Sequence, residues 1–385
     1  MTKTWLAAIA AVTLTAGAPA ATMAQNTPVK IVSLMELSGA GATAGTNFSN
    51  GVNLAFKEIN AARGILGRKI DIETFDTQSN PGIAKALAQK AVDQGAYAVM
   101  GPVFSGSIVV SMIETKRAEI PNFMGGEAAN LTQQNNPYIF RTSFTQDTAM
   151  PKLARYIKDE VKAKSVAMIW VNNDFGKGGR DTMKKALDAQ GIKVAADIST
   201  DPQQVDFTAA VLKAKQANAD ALFVYTNEEE SARALRELKK QGYDKPIIGE
   251  TTLTGQKVIE LAGDAANGAI AHVGLTADAP NPAVQDFDKK FQAEYKYRSD
   301  HNGMKGYSAG YILKAVTEKV GKFDSKAFAK AMHGVALSAK EHPGILFDVS
   351  FDDKGDLDRE SFMVKVEGGK QVVFATLPAL GKKPN

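Results

Sequence analysis

The sequence predicts an α/β fold built as two similar lobes of parallel sheet flanked by helices. Apolar runs of strand length alternate with amphipathic helical stretches along almost the whole chain, and that alternation argues parallel sheets covered on both faces. The pattern restarts near residue 165. Two stretches, 62–102 and 189–227, follow the same order of glycine, strand, polar loop with an aspartate, helix, small residues and strand. Two such lobes would face each other across a cleft, a preferred place for small-ligand sites. A length of 385 residues fits two domains, at roughly 100–200 residues each.

The first half opens with an apolar run at 29–35, expected as a buried strand. A helix is expected over 46–62, with Phe48, Val52, Ala55, Phe56 and Ile59 on one face and Gly64 as its stop. Strand follows at 69–75, then helix at 81–94 with Pro81 in its first turn. Strands at 96–100, 120–124 and 138–142 enclose a helix at 105–117, and 150–161 reads as helix. In the second half, strands are expected at 165–171, 192–198, 219–225, 246–249 and 269–274. Helices at 177–190, 207–216, 229–241 and 256–262 connect them. Long helices follow at 282–297, 304–320 and 325–332. The end reads as β, with strands at 345–351, 361–366 and 372–376 and a turn at 352–356.

Composition excludes several function classes. There is no cysteine, hence no disulfide, thiolate metal site, cysteine nucleophile or cysteine-borne lipid anchor. The net charge is +4, and basic pairs such as Lys184-Lys185, Lys239-Lys240 and Lys289-Lys290 are scattered through helical stretches, so no nucleic-acid stripe forms. The four histidines lack metal-ligand spacing. Met1 to Lys3 are positive, residues 5–16 are apolar, and Thr22-Met23-Ala24 precede Gln25. That is a secretory signal, cut after Ala24 with a cut after Ala20 as the alternative, too short to span a bilayer. The mature chain is expected in the periplasm, exported by the general route, with no direct membrane anchor.

Candidate site residues lie where strands give way to helices. Ser105 follows the strand at 96–100 through Gly101-Pro102 and opens a helix. Helix N-termini carry free N–H groups and partial positive charge that suit a carboxylate, and the hydroxyl adds a donor. An ordinary capping serine fits equally well. A serine nucleophile is a third reading, but Val103 and Ser107 stand where Gly-x-Ser-x-Gly needs glycine. Gly125-Gly126-Glu127-Ala128 would let a ligand approach the backbone. Phe175 in Asn172–Gly176 reads as an aromatic lid or a loop aromatic packed on its own lobe. Glu250, after a strand, reads as a partner for a ligand ammonium or as a solvated loop acid. Thr226-Asn227-Glu228 sits at a similar edge. Gly39-x-Gly41-x-x-x-Gly45 lacks the acidic residue a dinucleotide site needs about 20 positions on, so no cofactor is expected.

Over residues 29–371 the chain resembles the periplasmic solute-binding proteins of ABC importers, in the leucine/isoleucine/valine-binding branch. Leu37-Ser38-Gly39, Asn50-Gly51, Glu58-Ile59-Asn60-Ala61 and Gly64-Ile65-Leu66-Gly67 carry the resemblance early in the chain. Asp76, Pro81, Gly101-Pro102, Ser105, Leu131-Thr132, Phe140-Arg141-Thr142, Asp174 to Gly178 and Asp353 to Asp356 continue it in order. The resemblance implies a type I periplasmic-binding fold: two Rossmann-like lobes joined by a three-strand hinge, crossing near residues 145, 274 and 359. The domains would be a signal peptide at 1–24, a first lobe at 25–145 with 275–359, and a second at 146–274 with 360–385. It further implies that Ser105 and the backbone at Gly126 and Ala128 hold a ligand carboxylate. Glu250 would take the ammonium, Phe175 would pack the ligand, and Asn227 would complete the wall.

The chain departs from that family at Ala128, where a hydroxyl residue is common, at Ala44, where the family is often aromatic, and at Phe175, where tyrosine is usual. The implied function is a receptor that captures a small carboxylate and delivers it to ABC permease subunits, as a monomer and not as an enzyme. An amino acid of branched-chain or aliphatic type is the first expectation. A 2-oxo or aromatic acid, a sensory module of the same fold and an exported serine hydrolase are the alternatives.

Overall fold

The computed structural model describes residues 27–379; the expected export signal and its cut after Ala24 lie outside them. The first sheet contains β1 (Val29–Met35), β2 (Ile70–Asp76), β3 (Ala98–Met100), β4 (Asn122–Met124) and β5 (Ile139–Arg141). Its order is β2-β1-β3-β4-β5, every pair parallel. The second sheet contains β6 (Ser165–Val171), β7 (Lys193–Thr200), β8 (Ala221–Tyr225), β9 (Ile247–Glu250) and β10 (Ile270–Val273). Its parallel strands run β7-β6-β8-β9-β10, the same permutation as the first. The repeat read from sequence is thus a repeat of topology. β14 (Ser361–Glu367) and β15 (Lys370–Leu377) add an antiparallel edge beyond β10. β11 (Ala336–Leu337), β12 (Val349–Phe351) and β13 (Leu357–Asp358) form a small third sheet.

The helices of the first half are α1 (Ala42–Ala61), α2 (Pro81–Asp93) and α3 (Ser105–Arg117). α4 (Gln146–Asp159), α5 (Asp174–Ala189), α6 (Thr208–Gln216), α7 (Glu228–Lys240) and α8 (Gln256–Ala262) follow with the second sheet. α9 (Pro282–Tyr295), α10 (His301–Val320) and α11 (Ser325–Met332) complete the set. The strand cores are the apolar runs of the sequence: Ile31, Val32, Leu34 and Met35 of β1 and Val166 to Ile169 of β6 are all fully buried. Strands covered on both faces have no polar face to alternate with.

Two boundaries differ from expectation in ways that matter for the site. Phe175, expected in a loop, lies in the first turn of α5, because the Asn173 side chain caps the Gly176 N–H at 2.8 Å. α10 begins at His301 instead of 304, because Asp300 caps the N–H groups of Asn302 and Gly303 at 2.7 and 3.2 Å. α10 also presses on α1: a methyl group on Gly51 would sit 1.9 Å from the Gly303 carbonyl oxygen, so neither helix tolerates a side chain there. That close approach carries the first turn of α10 into the space above the first sheet.

The chain leaves the first large sheet for the second after Arg141, leaves the second after Val273 for the last three helices and the small third sheet, and returns to it between Asp358 and Ser361. The three passages touch. Buried Arg359 donates to the Thr142 carbonyl at 3.5 Å and lies over the Phe144 ring, which packs on Gly274. Burial pulls the Arg359 guanidinium down to about 9.

Candidate ligand-binding site

In an open sheet of this order, ligands bind beyond the carboxyl ends of the strands, where the chain turns to opposite sides. Here two such points face each other. The loops and first helical turns after β1 and β3 supply Ala40, Ala44 and Val103 to Ser107, and those after β6 and β8 supply Asn173 to Phe175, Asn227 and Glu228. Between them lies a cavity of about 310 Å³, at the small end of ligand pockets. The two halves also touch over it, since Thr43 donates to Glu229 at 2.6 Å.

Ser105, Gly106 and Ser107 form the first turn of α3, and their N–H groups have no intrahelical acceptor. The two preceding N–H groups, of Val103 and Phe104, are held by the buried Glu36 carboxylate at 3.0 and 3.1 Å. The Ser105 hydroxyl accepts the Ala128 N–H at 3.4 Å. Gly126 stands against it, and a methyl group there would meet Ile108 at 2.4 Å and the Ser105 oxygen at 3.2 Å. Arg141, fully buried, fixes this backbone by donating to the carbonyls of Gly126 at 2.6 Å and Ala128 at 3.1 Å. The result is a rigid cradle of donors for an anion.

The opposite wall is aromatic. Phe175 stacks on Tyr225 with centroids 4.2 Å apart, and Gln146 ties the pair by donating to the Phe175 carbonyl at 2.8 Å and the Tyr225 hydroxyl at 3.0 Å. Asn227 lines the cavity with its N–H and side-chain amide donating to Glu230 at 3.0 and 3.1 Å.

Of the six residues singled out from sequence, Ser105, Gly126, Phe175 and Asn227 come together on the cavity wall. Ala128 and Glu250 lie behind it. Glu250 accepts from the Thr251 N–H, shares a hydrogen bond of 3.2 Å with His272 Nδ1, and hydrogen-bonds Glu127. Burial raises its carboxyl and pushes His272 down to about 3, so His272 is uncharged and the Glu250–His272 contact is a hydrogen bond and not an ion pair. Residues not singled out complete the floor: Glu127, Glu228, His301, Asn302 and Lys305. Lys305 Nζ sits 3.1 Å from Glu127, whose other oxygen accepts from Tyr225 at 3.3 Å. Burial and the neighbouring Glu250 push the Glu127 carboxyl up to about 7, against the pull of Lys305 and Arg141. Glu127 and Glu228 were read from sequence only as members of the segments Gly125 to Ala128 and Thr226 to Glu228, with no role of their own. Asn302 and Lys305 could have been found only from Asp300 as a helix cap.

Residues 28–371 match the family described as Periplasmic binding protein. The chain belongs to the periplasmic binding protein family. Its fold is the two-lobed type I arrangement, and among its relatives is a Leu/Ile/Val-binding protein of Rhizobium johnstonii, 29% identical over 87% of this chain and 91% of the relative. A leucine-, isoleucine-, valine-, threonine- and alanine-binding protein of Pseudomonas aeruginosa is 27% identical over 91% of this chain and 92% of that one. Solved structures of the same fold include a branched-chain amino acid transporter substrate-binding protein of Streptococcus pneumoniae in complex with isoleucine. It has TM-score 0.82 and 23% identity over 93% of this chain and all of its own. A solute-binding protein of R. palustris in complex with benzoate has TM-score 0.84 and 22% identity, covering 92% of this chain and 98% of its own. These family members are solute-binding proteins.

Proposed function

We propose that the chain is a periplasmic receptor that captures a small carboxylate in the cleft and delivers it to the permease subunits of an ABC importer, acting as a monomer and without turnover. Two lobes dividing near residues 145, 274 and 359 would close over the ligand. The observation that carries this reading is the cradle formed by Ser105, the first turn of α3 and the clamped backbone at Gly126. Branched-chain amino acids are the first ligands to test, since they are what the relatives bind by name. Calorimetry and thermal shift against amino acids, 2-oxo acids and aromatic acids test it. A ligand at 100 times its dissociation constant adds about 2.7 kcal/mol. No stabilisation by any small acid would overturn the reading.

Ser105→Ala is expected to weaken binding of any such acid by about 1–3 kcal/mol with the fold intact. Unchanged affinity would mean that the carboxylate binds elsewhere. A second reading, an acid without an amine, is favoured by one observation: Glu250 is turned away from the cavity, and Glu127 is already paired with Lys305.

A further inference from the structure

Lys305 is 3% exposed and still reaches the cavity wall from the first turns of α10. Its ammonium lies 3.1 Å from the Glu127 carboxylate, 3.4 Å from the Gly125 carbonyl and 3.4 Å from the Asn302 side-chain oxygen. A lysine ammonium has three protons to donate, and three acceptors surround it here. One carboxylate, one carbonyl and one amide oxygen make a complete seat for an ammonium group. The protein has filled that seat with its own.

The backbone acceptors beside the Ser105 cradle are also committed. The Gly126 carbonyl takes Arg141 at 2.6 Å and the Ser143 hydroxyl at 3.0 Å, and the Ala128 carbonyl takes Arg141 at 3.1 Å. Glu250 is spent on Thr251 and His272. Glu228 is the other glutamate on the wall, and burial beside Asp300 pushes it up to about 8, so near neutral pH it holds a proton. An incoming amine would meet a like charge at this seat, and the other carboxylate lining the cavity, Asp174, stands beside Gly106 on the first turn of α3 instead.

We propose that Lys305 is the specificity-determining residue of the cleft: by occupying the ammonium seat it selects small carboxylates that lack an α-amino group over the matching amino acids. The ligand class is then a 2-oxo, 2-hydroxy or aromatic acid. This rests on the reading of the cleft as a small-carboxylate site.

The test is calorimetry on the whole mature protein with matched pairs: leucine and its 2-oxo analogue, phenylalanine and phenylpyruvate. In the unmodified protein the oxo acid of a pair is expected to bind at least about tenfold tighter, a difference of about 1.4 kcal/mol. Lys305→Met frees Glu127 and is expected to shrink that ratio at least about tenfold, the amino acid gaining. Should Lys305→Met fail to fold, Glu127→Gln keeps the lysine seated without its counter-charge, and the preference for the oxo acid should widen. The proposal is overturned if the unmodified protein prefers the amino acid of a pair, or if the folded variants leave the ratio unchanged. Ser105→Ala separates the two levels, because it should weaken both members of a pair equally. Binding of no acid at all, or binding indifferent to Ser105→Ala, would sink the cleft reading and this inference with it.

Discussion

Arg141→Met is expected to cost about 3–5 kcal/mol of stability, since it removes one partner of a buried ion pair, and to abolish ligand binding. The Arg141 guanidinium reaches Asp356 through Nε at 2.6 Å, Gly126 through Nη1, and Ala128 and Thr132 through Nη2 at 3.1 and 3.2 Å. Those partners come from two separated stretches of the chain, 126–132 and the turn at Asp356. Methionine would fill the volume but leave the Asp356 carboxylate without its counter-charge, and the Gly126 and Ala128 carbonyls with only the Ser143 hydroxyl and the Leu131 N–H. Lysine should not rescue it, because a single ammonium cannot span the fork that holds Gly126 and Ala128 together. Urea denaturation and calorimetry on Arg141→Met check both halves. A loss under about 1 kcal/mol with binding retained would show that the cradle is held by something else.

Raising the pH from about 6 to about 9 is expected to lower the melting temperature by several degrees and to loosen the contact between the lobes. The N-terminus of α7 faces that of α10 across the cleft, and Asn302 donates to Glu228 at 3.5 Å and to Asp300 at 3.4 Å. Burial, then Asp300 and Glu229, push Glu228 up to about 8. Burial pushes Asp300 up to about 6, against the N–H bonds from Asn302 and Gly303. Both carboxyls therefore hold protons more tightly folded than unfolded. Their contribution is complete below the ordinary carboxylate range and is lost as pH climbs through about 6 and then about 8, where the folded state must ionise two facing acids. For Glu228 the effect is on the order of a few kcal/mol. His272, pushed down to about 3 by burial, acts in the other direction and erodes stability only as pH falls below about 6.5. Thermal melts from pH 5 to pH 9, with small-angle scattering for the overall dimensions, measure the effect, and Glu228→Gln should flatten the upper part. A melting temperature that is level across this range, or a slope above about pH 7 that persists in Glu228→Gln, would contradict it; below that, Asp300 at about 6 and Glu127 at about 7 keep a slope of their own.

Much of the fold was legible because a parallel sheet buried on both faces writes itself as uninterrupted apolar runs, as in β1 and β6. The repeat of 62–102 in 189–227 was legible for the same reason, and the shared strand permutation is its consequence. Ser105 could be seen because it sits at a local punctuation mark, a strand ending in Gly101-Pro102 before a helix. Lys305 could not. Gly303 and Gly306 carry no mark of a contact in sequence, yet they are points where α10 lies on α1, and only the partner helix reveals that. Glu250 was placed by its position after β9, but its orientation is decided by His272 on the neighbouring strand β10, 22 residues away. Local pattern locates the edge of a sheet well. It cannot tell which way a carboxylate turns once burial and a neighbour compete for it.

β1 belongs to the five-stranded sheet and β15 to the seven-stranded one, so the described chain starts in one lobe and finishes in the other. With no native thiol anywhere in the sequence, single cysteines at exposed Lys69 and Lys370 would each accept one dye. Energy transfer between them would turn lobe movement into an optical signal, making the chain a reagentless sensor for its own solute.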